Sequence, residues 1–311
     1  MENTKLYLDL VDKEKNIYEL ATLFEQNRKD ITDYFDCLAS PVIRGGELVL
    51  KNNEIICKQS NNKYPVIKKI IDFTDSTNLN DNDTWNKKNR EFLNYHRSLS
   101  TYTLINSSPI INYLSLHSGI GYLKNIKVID IGGGTGHSLC SFFMYPETID
   151  YFLVDPNYRL LHDQFLRIYP KLSYLKMAHI LAYAENLPFK ENIADLVISI
   201  SAIDHFKDYK AFIGESYRIL KTNGQIFIAG HLDIPLSGEN QTGIFAKILS
   251  SSLWERISRY LYYRKYGVSK DDHIFHFNDT KLIEQSLADN GFKIIKTEFF
   301  KRYFYIVAEK I

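Results

Sequence analysis

Gly132-Gly133-Gly134-Thr135-Gly136 lies between the apolar run Lys127-Val128-Ile129-Asp130-Ile131 and a helix-forming segment. Glycines at a strand-to-helix turn leave the backbone bare, so a ligand can approach the free N–H groups of the helix N terminus. The spacing differs from a dinucleotide fingerprint, whose third glycine would stand where the chain has His137. Two acids frame the turn. Asp130, just before the glycines, can face an ammonium group. Asp155, at the tip of the next apolar run Tyr151-Phe152-Leu153-Val154, can accept both hydroxyls of a ribose, or else cap the helix that Pro156 opens. Together they suit a nucleoside carrying an amino acid better than a dinucleotide.

Histidine supplies the remaining chemistry, since it alone takes a proton near neutral pH without help. Asp204-His205 follows Ser199-Ile200-Ser201 at the end of one apolar run, and His231-Leu232-Asp233 follows Gly230 at the end of another. His205 can act as a base or pack over a bound ligand, and His231 can contact an acceptor or close a strand end. His273 and His276, in Asp271-Asp272-His273-Ile274-Phe275-His276-Phe277, show no carboxylate or third-histidine constellation in sequence, so no metal is expected there.

These groups need a scaffold, and the hydrophobic pattern supplies one. After residue 85 the chain looks helical and amphipathic to 123, then strands and helices alternate: strands at 127–131, 151–155, 178–182, 195–200 and 225–230, with a helix at 209–220 ended by Asn223-Gly224. A helix at 279–290, capped by Gly291, leads into a closing strand pair at 292–298 and 303–309. Such alternation predicts a parallel sheet covered on both faces.

In this frame the chain is similar to the class I S-adenosylmethionine-dependent methyltransferases, within the small-molecule group that includes quinone-pathway C-methyltransferases. Val128 through Gly136, Val154-Asp155-Pro156, Ala184-Glu185-Asn186-Leu187-Pro188-Phe189, and Glu215 through Gly224 carry the resemblance, in order and suitably separated. It implies a Rossmann-like sheet of seven strands, parallel except for an antiparallel last strand, over residues 85–311, and S-adenosyl-L-methionine as cofactor. It places Gly132, Gly134 and Gly136 at the methionine end with Asp130, Asp155 at the ribose, Ala184 and Glu185 at the adenine wall, and Ser201 beside them. Asp204, His205 and His231 are the residues it leaves for the acceptor. Tyr183 stands where the family often has an Asp for the adenine amino group, so adenine recognition falls to backbone groups or stacking.

Residues 1–84 form a second unit, closed by the polar run 75–83. Helical spacing at 17–35 precedes short strands at 47–50, 54–57 and 64–73. From Cys37 to Ile67 this unit resembles the small zinc ribbon that accompanies some methyltransferases, but the four ligand positions are Ser40, Ile43, Cys57 and Ser60. One thiolate cannot hold tetrahedral zinc. A degenerate, metal-free ribbon is expected, with Ile43 packed in the core where a ligand stood.

The stretch 234–270 interrupts the alternation. Its apolar residues recur at helical spacing beside a basic face, which reads as a lid and substrate-specificity element or as a solvated amphipathic helix. Composition narrows the partners. With 38 basic and 37 acidic residues the formal net charge is +1, which offers no general field for DNA or RNA. Three cysteines do not make a disulfide framework, no apolar run is long enough to span a bilayer, and the first residues lack a signal-peptide layout. The expectation is a cytoplasmic enzyme, open to forming a homo-oligomer, that methylates a small biosynthetic acceptor. An RNA methyltransferase and a non-catalytic cofactor-binding scaffold are the alternatives.

Overall fold

The computed structural model describes residues 25–51, 53–74, 109–134, 136, 138–156, 175–232, 273–300 and 303–311. The polar run 75–83 and the insertion 234–270 lie outside them. Among the described residues the strands are β1 (Leu48–Lys51), β2 (Glu54–Cys57), β3 (Lys63–Ile67), β4 (Ile70–Asp72), β5 (Lys127–Ile131), β6 (Asp150–Val154), β7 (Met177–Leu181), β8 (Ala194–Ile200), β9 (Leu220–His231), β10 (Phe292–Phe300) and β11 (Tyr303–Lys310). The helices are α1 (Pro109–Ser118), α2 (Ser138–Ser141), α3 (Tyr209–Ile219) and α4 (Lys281–Asp289).

One sheet of eleven strands results, in the order β1-β2-β3-β4-β7-β6-β5-β8-β9-β11-β10. The seven strands expected from sequence are its contiguous part from β7 to β10. β7, β6, β5, β8 and β9 pair in parallel, and β11 runs antiparallel to both β9 and β10. The continuous apolar character of these strands has a direct cause. Alternate residues enter two different cores, Ile129, Phe152, Val197 and Ile226 on one face and Val128, Tyr151, Leu196 and Phe227 on the other.

The N-terminal unit shares this sheet. β4 adds to β7 in parallel, with Ile71 opposite Ile180, and Phe73 N–H continues the ladder to Leu181 O at 2.8 Å. Arg28 bridges to Met177 and Leu38 to Phe189. Tyr34, Leu38, Ile55 and Tyr64 belong to the same apolar cluster as Ile129 and Val197. So small a unit buries too little surface alone, and the main sheet completes its core.

Three local expectations change. Of the helical reading of 17–35, residues 17–24 lie outside the described residues, and short 3-10 turns at Ile31–Asp33 and Phe35–Cys37 stand in place of a helix at its C-terminal end. The single strand at 64–73 splits into β3 and β4 because Lys68 and Lys69 take left-handed φ values of 51° and 65°. Helix α3 ends at Ile219, and Asn223, at φ 63°, falls within β9.

In the ribbon-like unit, the Ser40 hydroxyl lies 3.3 Å from Tyr64 Oη, and a Cβ on Gly46 would meet both Ser40 Cβ at 2.9 Å and Cys57 Sγ at 3.2 Å. Burial raises the Cys57 thiol, but hydrogen bonds from Ser60 and Ser40 outweigh it and bring the group down to about 7. Ser40, Cys57 and Ser60 therefore lie close together. Ile43 does not fill the core there, because it stands 36% exposed.

Candidate functional site

The glycine loop is built from three different constraints. Gly132 (φ 72°) packs so tightly that an added Cβ would lie 2.6 Å from Ala202 Cβ. Gly133 covers the Asp130 carboxylate, with 2.4 Å between a hypothetical Cβ and Oδ2. Gly136 (φ 71°) sits against Met177 and Leu153. Gly134 differs: at φ 54° its Cβ direction meets nothing within 4 Å, so this glycine turns the open face of the loop outward. Its N–H donates to Asp155 Oδ2 at 2.9 Å, tying the loop to the tip of β6.

Asp130 is not at the surface of this cleft. It is completely buried and accepts a hydrogen bond from Tyr151 Oη. Burial pushes its carboxyl up to about 7; hydrogen bonds from Tyr151 and Ser138 oppose the rise, and the Asp155 charge adds to it. The acid thus lies directly beneath Gly133. Asp155, half-buried at the end of β6, remains on the open side.

The 184–189 segment is held from α3. Glu215 Oε2 accepts from Leu187 N–H at 2.9 Å, and Arg218 donates to Phe189 O at 2.6 Å and Leu187 O at 3.0 Å while pairing with Glu215 at 2.7 Å. Two sequence segments singled out separately thus form one structural unit. Ala184 is buried, and the Lys207 ammonium lies 5.2 Å from the centre of the Tyr183 ring. The Glu185 carboxylate meets backbone: Oε1 accepts from Lys207 N–H at 2.7 Å and Asp208 N–H at 3.2 Å.

After β8 the chain turns sharply. Ser201 is exposed at φ 55°, its N–H bonded to Ala229 O at 2.8 Å. Non-glycine residues held in this region cost about 1–3 kcal/mol and gather at functional sites. Ala202 and Phe206 both abut Gly132, so Asp204 and His205 between them are fixed beside the glycine loop. Asp204 Oδ1 is 3.8 Å from His205 Nε2, too far for a hydrogen bond, whereas Oδ2 is 3.0 Å from His273 Nδ1. Ile274 and Phe275 donate backbone N–H bonds to Asp204 O at 2.8 and 3.0 Å, and Phe275 and Phe277 pack edge-on against Tyr209.

His273 is the site residue that sequence reasoning passed over. The Asp271-Asp272-His273 run was visible, but its carboxylate partner lies far away in the chain, and only the docking of 273–277 onto the β8 turn unites them. His231, read from sequence as an acceptor contact or a strand-end residue, ends β9 with its ring 5.2 Å from Tyr303 in edge-to-face contact.

A Methyltransferase domain family model matches residues 95–297, more than half of the chain, and the chain belongs to that family. Among curated proteins it is 28% identical over 107 residues to the chloroplastic 2-methyl-6-phytyl-1,4-hydroquinone methyltransferase of Spinacia oleracea, covering 34% of this chain and 30% of that protein. It is 32% identical over 120 residues to the ubiquinone biosynthesis O-methyltransferase of Pelagibacter ubique (strain HTCC1062), covering 39% and 48%. The chain thus spans less than half the length of either relative. Among solved structures, an S-adenosylmethionine-dependent methyltransferase of Thermotoga maritima aligns with a TM-score of 0.42 at 18% identity, over 71% of this chain and 99% of that one. The chain therefore carries a methyltransferase domain. Among the described residues of the loop, Gly134 opens outward, and a carboxylate stands at the tip of the adjoining strand. No helix among the described residues is long and apolar enough to cross a membrane.

Proposed function

We propose that this chain is an S-adenosylmethionine-dependent methyltransferase acting on a small acceptor bearing an aromatic hydroxyl. The supporting observation is the Asp204–His273 contact at 3.0 Å with His205 alongside, pinned to the glycine loop through Ala202 and Phe206. When bound, S-adenosylmethionine supplies a methyl carbon made electrophilic by its sulfonium. Gly132, Gly134 and Gly136 would hold its methionine portion and Asp155 its ribose, with Ser201, Ala184 and Tyr183 bordering the nucleoside. The protein's remaining task is to orient the acceptor and take its proton. A histidine held by a carboxylate is suited to that, because the carboxylate fixes the ring and stabilises the imidazolium that forms. The printed names of the relatives, a hydroquinone methyltransferase and a ubiquinone biosynthesis O-methyltransferase, favour a phenolic acceptor. Residues 1–84 fit a degenerate ribbon that stiffens the β7 edge, and 234–270 are the segment we assign to acceptor choice.

The test is transfer from methyl-labelled cofactor to a panel of hydroquinones and phenols, run beside total RNA. Label in a phenol supports the reading. Label in RNA overturns it, and label in neither, with the cofactor bound, identifies a scaffold without turnover.

A further inference from the structure

We propose that Asp204, His205 and His273 form a binding site for a borderline divalent cation of the Zn²⁺ class. One ligand atom from each lies within 4.8 Å of the others. Two imidazoles and one carboxylate are a donor set that binds first-row divalent ions and leaves positions open for water or a substrate oxygen. The individual distances support this. Oδ2 of Asp204 and Nδ1 of His273 are 3.0 Å apart, so an ion entering between them would take the place of their direct contact, and Oδ1 to His205 Nε2 is 3.8 Å, within reach of a small rotation of the ring. Ring centroids of His205 and His273 are 4.8 Å apart and edge-to-face, so both rings bear on the same carboxylate from different directions.

Burial adds a separate argument. The Asp204 side chain is only 9% exposed, yet its Oδ1 accepts no hydrogen bond among the described residues. A buried carboxylate oxygen left so is costly, and a cation held between it and His205 would satisfy it. The backbone is also fixed in advance. Bonds from Ile274 and Phe275 to Asp204 O lock the His273 segment onto the β8 turn, so the donors converge without a large rearrangement. His205 and His273 keep 13% and 19% exposure, which gives an ion access from outside. The site is independent of the proposed acceptor, although a cation there would polarise an acceptor hydroxyl and lower its pKa.

Binding is measured on the full chain, stripped with chelator, without cofactor or acceptor. Co²⁺ is followed by its visible absorption and Zn²⁺ by competition with a chromophoric chelator. The expected result is one ion per chain, with affinity falling by more than about tenfold in His273→Gln, His205→Gln and Asp204→Asn. Cys57→Ser, in the ribbon-like unit, should bind as the unaltered protein does. Circular dichroism checks each variant; should Asp204→Asn misfold, the two histidine variants decide. Absence of a Co²⁺ spectrum overturns the proposal, as does binding that survives His273→Gln and His205→Gln or disappears in Cys57→Ser. Because no acceptor enters the assay, a wrong acceptor assignment leaves this result unaffected.

Discussion

Adjacent glycines in the cofactor loop are required for opposite reasons, and alanine at each should separate the two. At Gly133 the added methyl would fall 2.4 Å from Asp130 Oδ2, 2.5 Å from its Cγ and 2.6 Å from Leu153 Cδ1. None of these can retreat easily, since the carboxylate is fully buried and engaged by Tyr151 and Leu153 is a core residue. Overpacking of this kind costs about 1–3 kcal/mol, which lowers the melting temperature by roughly 2–4 °C for each kcal/mol. At Gly134 the same methyl meets no atom within 4 Å, so the folded state bears only the left-handed φ of 54°. That costs about 1–2 kcal/mol, offset by roughly 0.4–1 kcal/mol through a stiffer unfolded chain. Gly134→Ala should therefore melt within a few degrees of the unaltered protein. Its methyl would stand on the open face of the loop, and S-adenosylmethionine affinity should drop at least tenfold, about 1.4 kcal/mol. Differential scanning fluorimetry and titration calorimetry read the two effects. Full affinity in Gly134→Ala would show that the cofactor does not approach this face, and an unchanged melting point in Gly133→Ala would refute the steric reasoning.

Asp155→Ala should weaken cofactor binding by about 1–3 kcal/mol in calorimetry, since a charged acceptor and the Gly134 tether are lost together; unchanged affinity would place the ribose elsewhere. Asp130 gives a pH signature: with its carboxyl raised from 3.8 to about 7 by burial, its contribution is fully present below the unfolded value and is lost as pH rises through 7. Melting temperatures of the unaltered protein should therefore fall relative to Asp130→Asn between about pH 4 and 7, and parallel profiles would contradict this. Lys310, buried at the end of β11, donates to Asn192 Oδ1, Tyr217 O and Leu220 O at 2.9, 2.8 and 2.7 Å. Lys310→Met leaves these acceptors without their donor and should destabilise the protein by about 1–3 kcal/mol in urea unfolding, with cofactor affinity unaffected.

The parts of this protein legible in its sequence are those in which local pattern and tertiary role coincide. β5, β6 and β8 are buried on both faces, so a continuous apolar run is enough to find them. The glycine loop announced itself because backbone geometry restricts residue type directly. Asp130 marks a limit of that reading: sequence gives an acid's position along a strand but not its side, and the pleat turns this one inward beneath Gly133. Glu185 and Glu215 show the same limit, since both carboxylates serve backbone amides of other segments and no spacing rule couples residue 185 to 207 or 187 to 215.

The β7 edge makes the point at larger scale. Ile70-Ile71-Asp72 is too short to be recognised as a strand of the main sheet, and the sequence between it and Met177 includes α1, β5 and β6. Pairing in parallel with β7 nevertheless covers an edge that would otherwise expose a row of backbone groups, and it fuses the N-terminal unit to the core of the catalytic sheet. His273 obeys the same logic. Its chemistry depends on a carboxylate reached through the folded chain, so the Asp204–His273 contact could be found only once 273–277 were seen docked on the turn after β8.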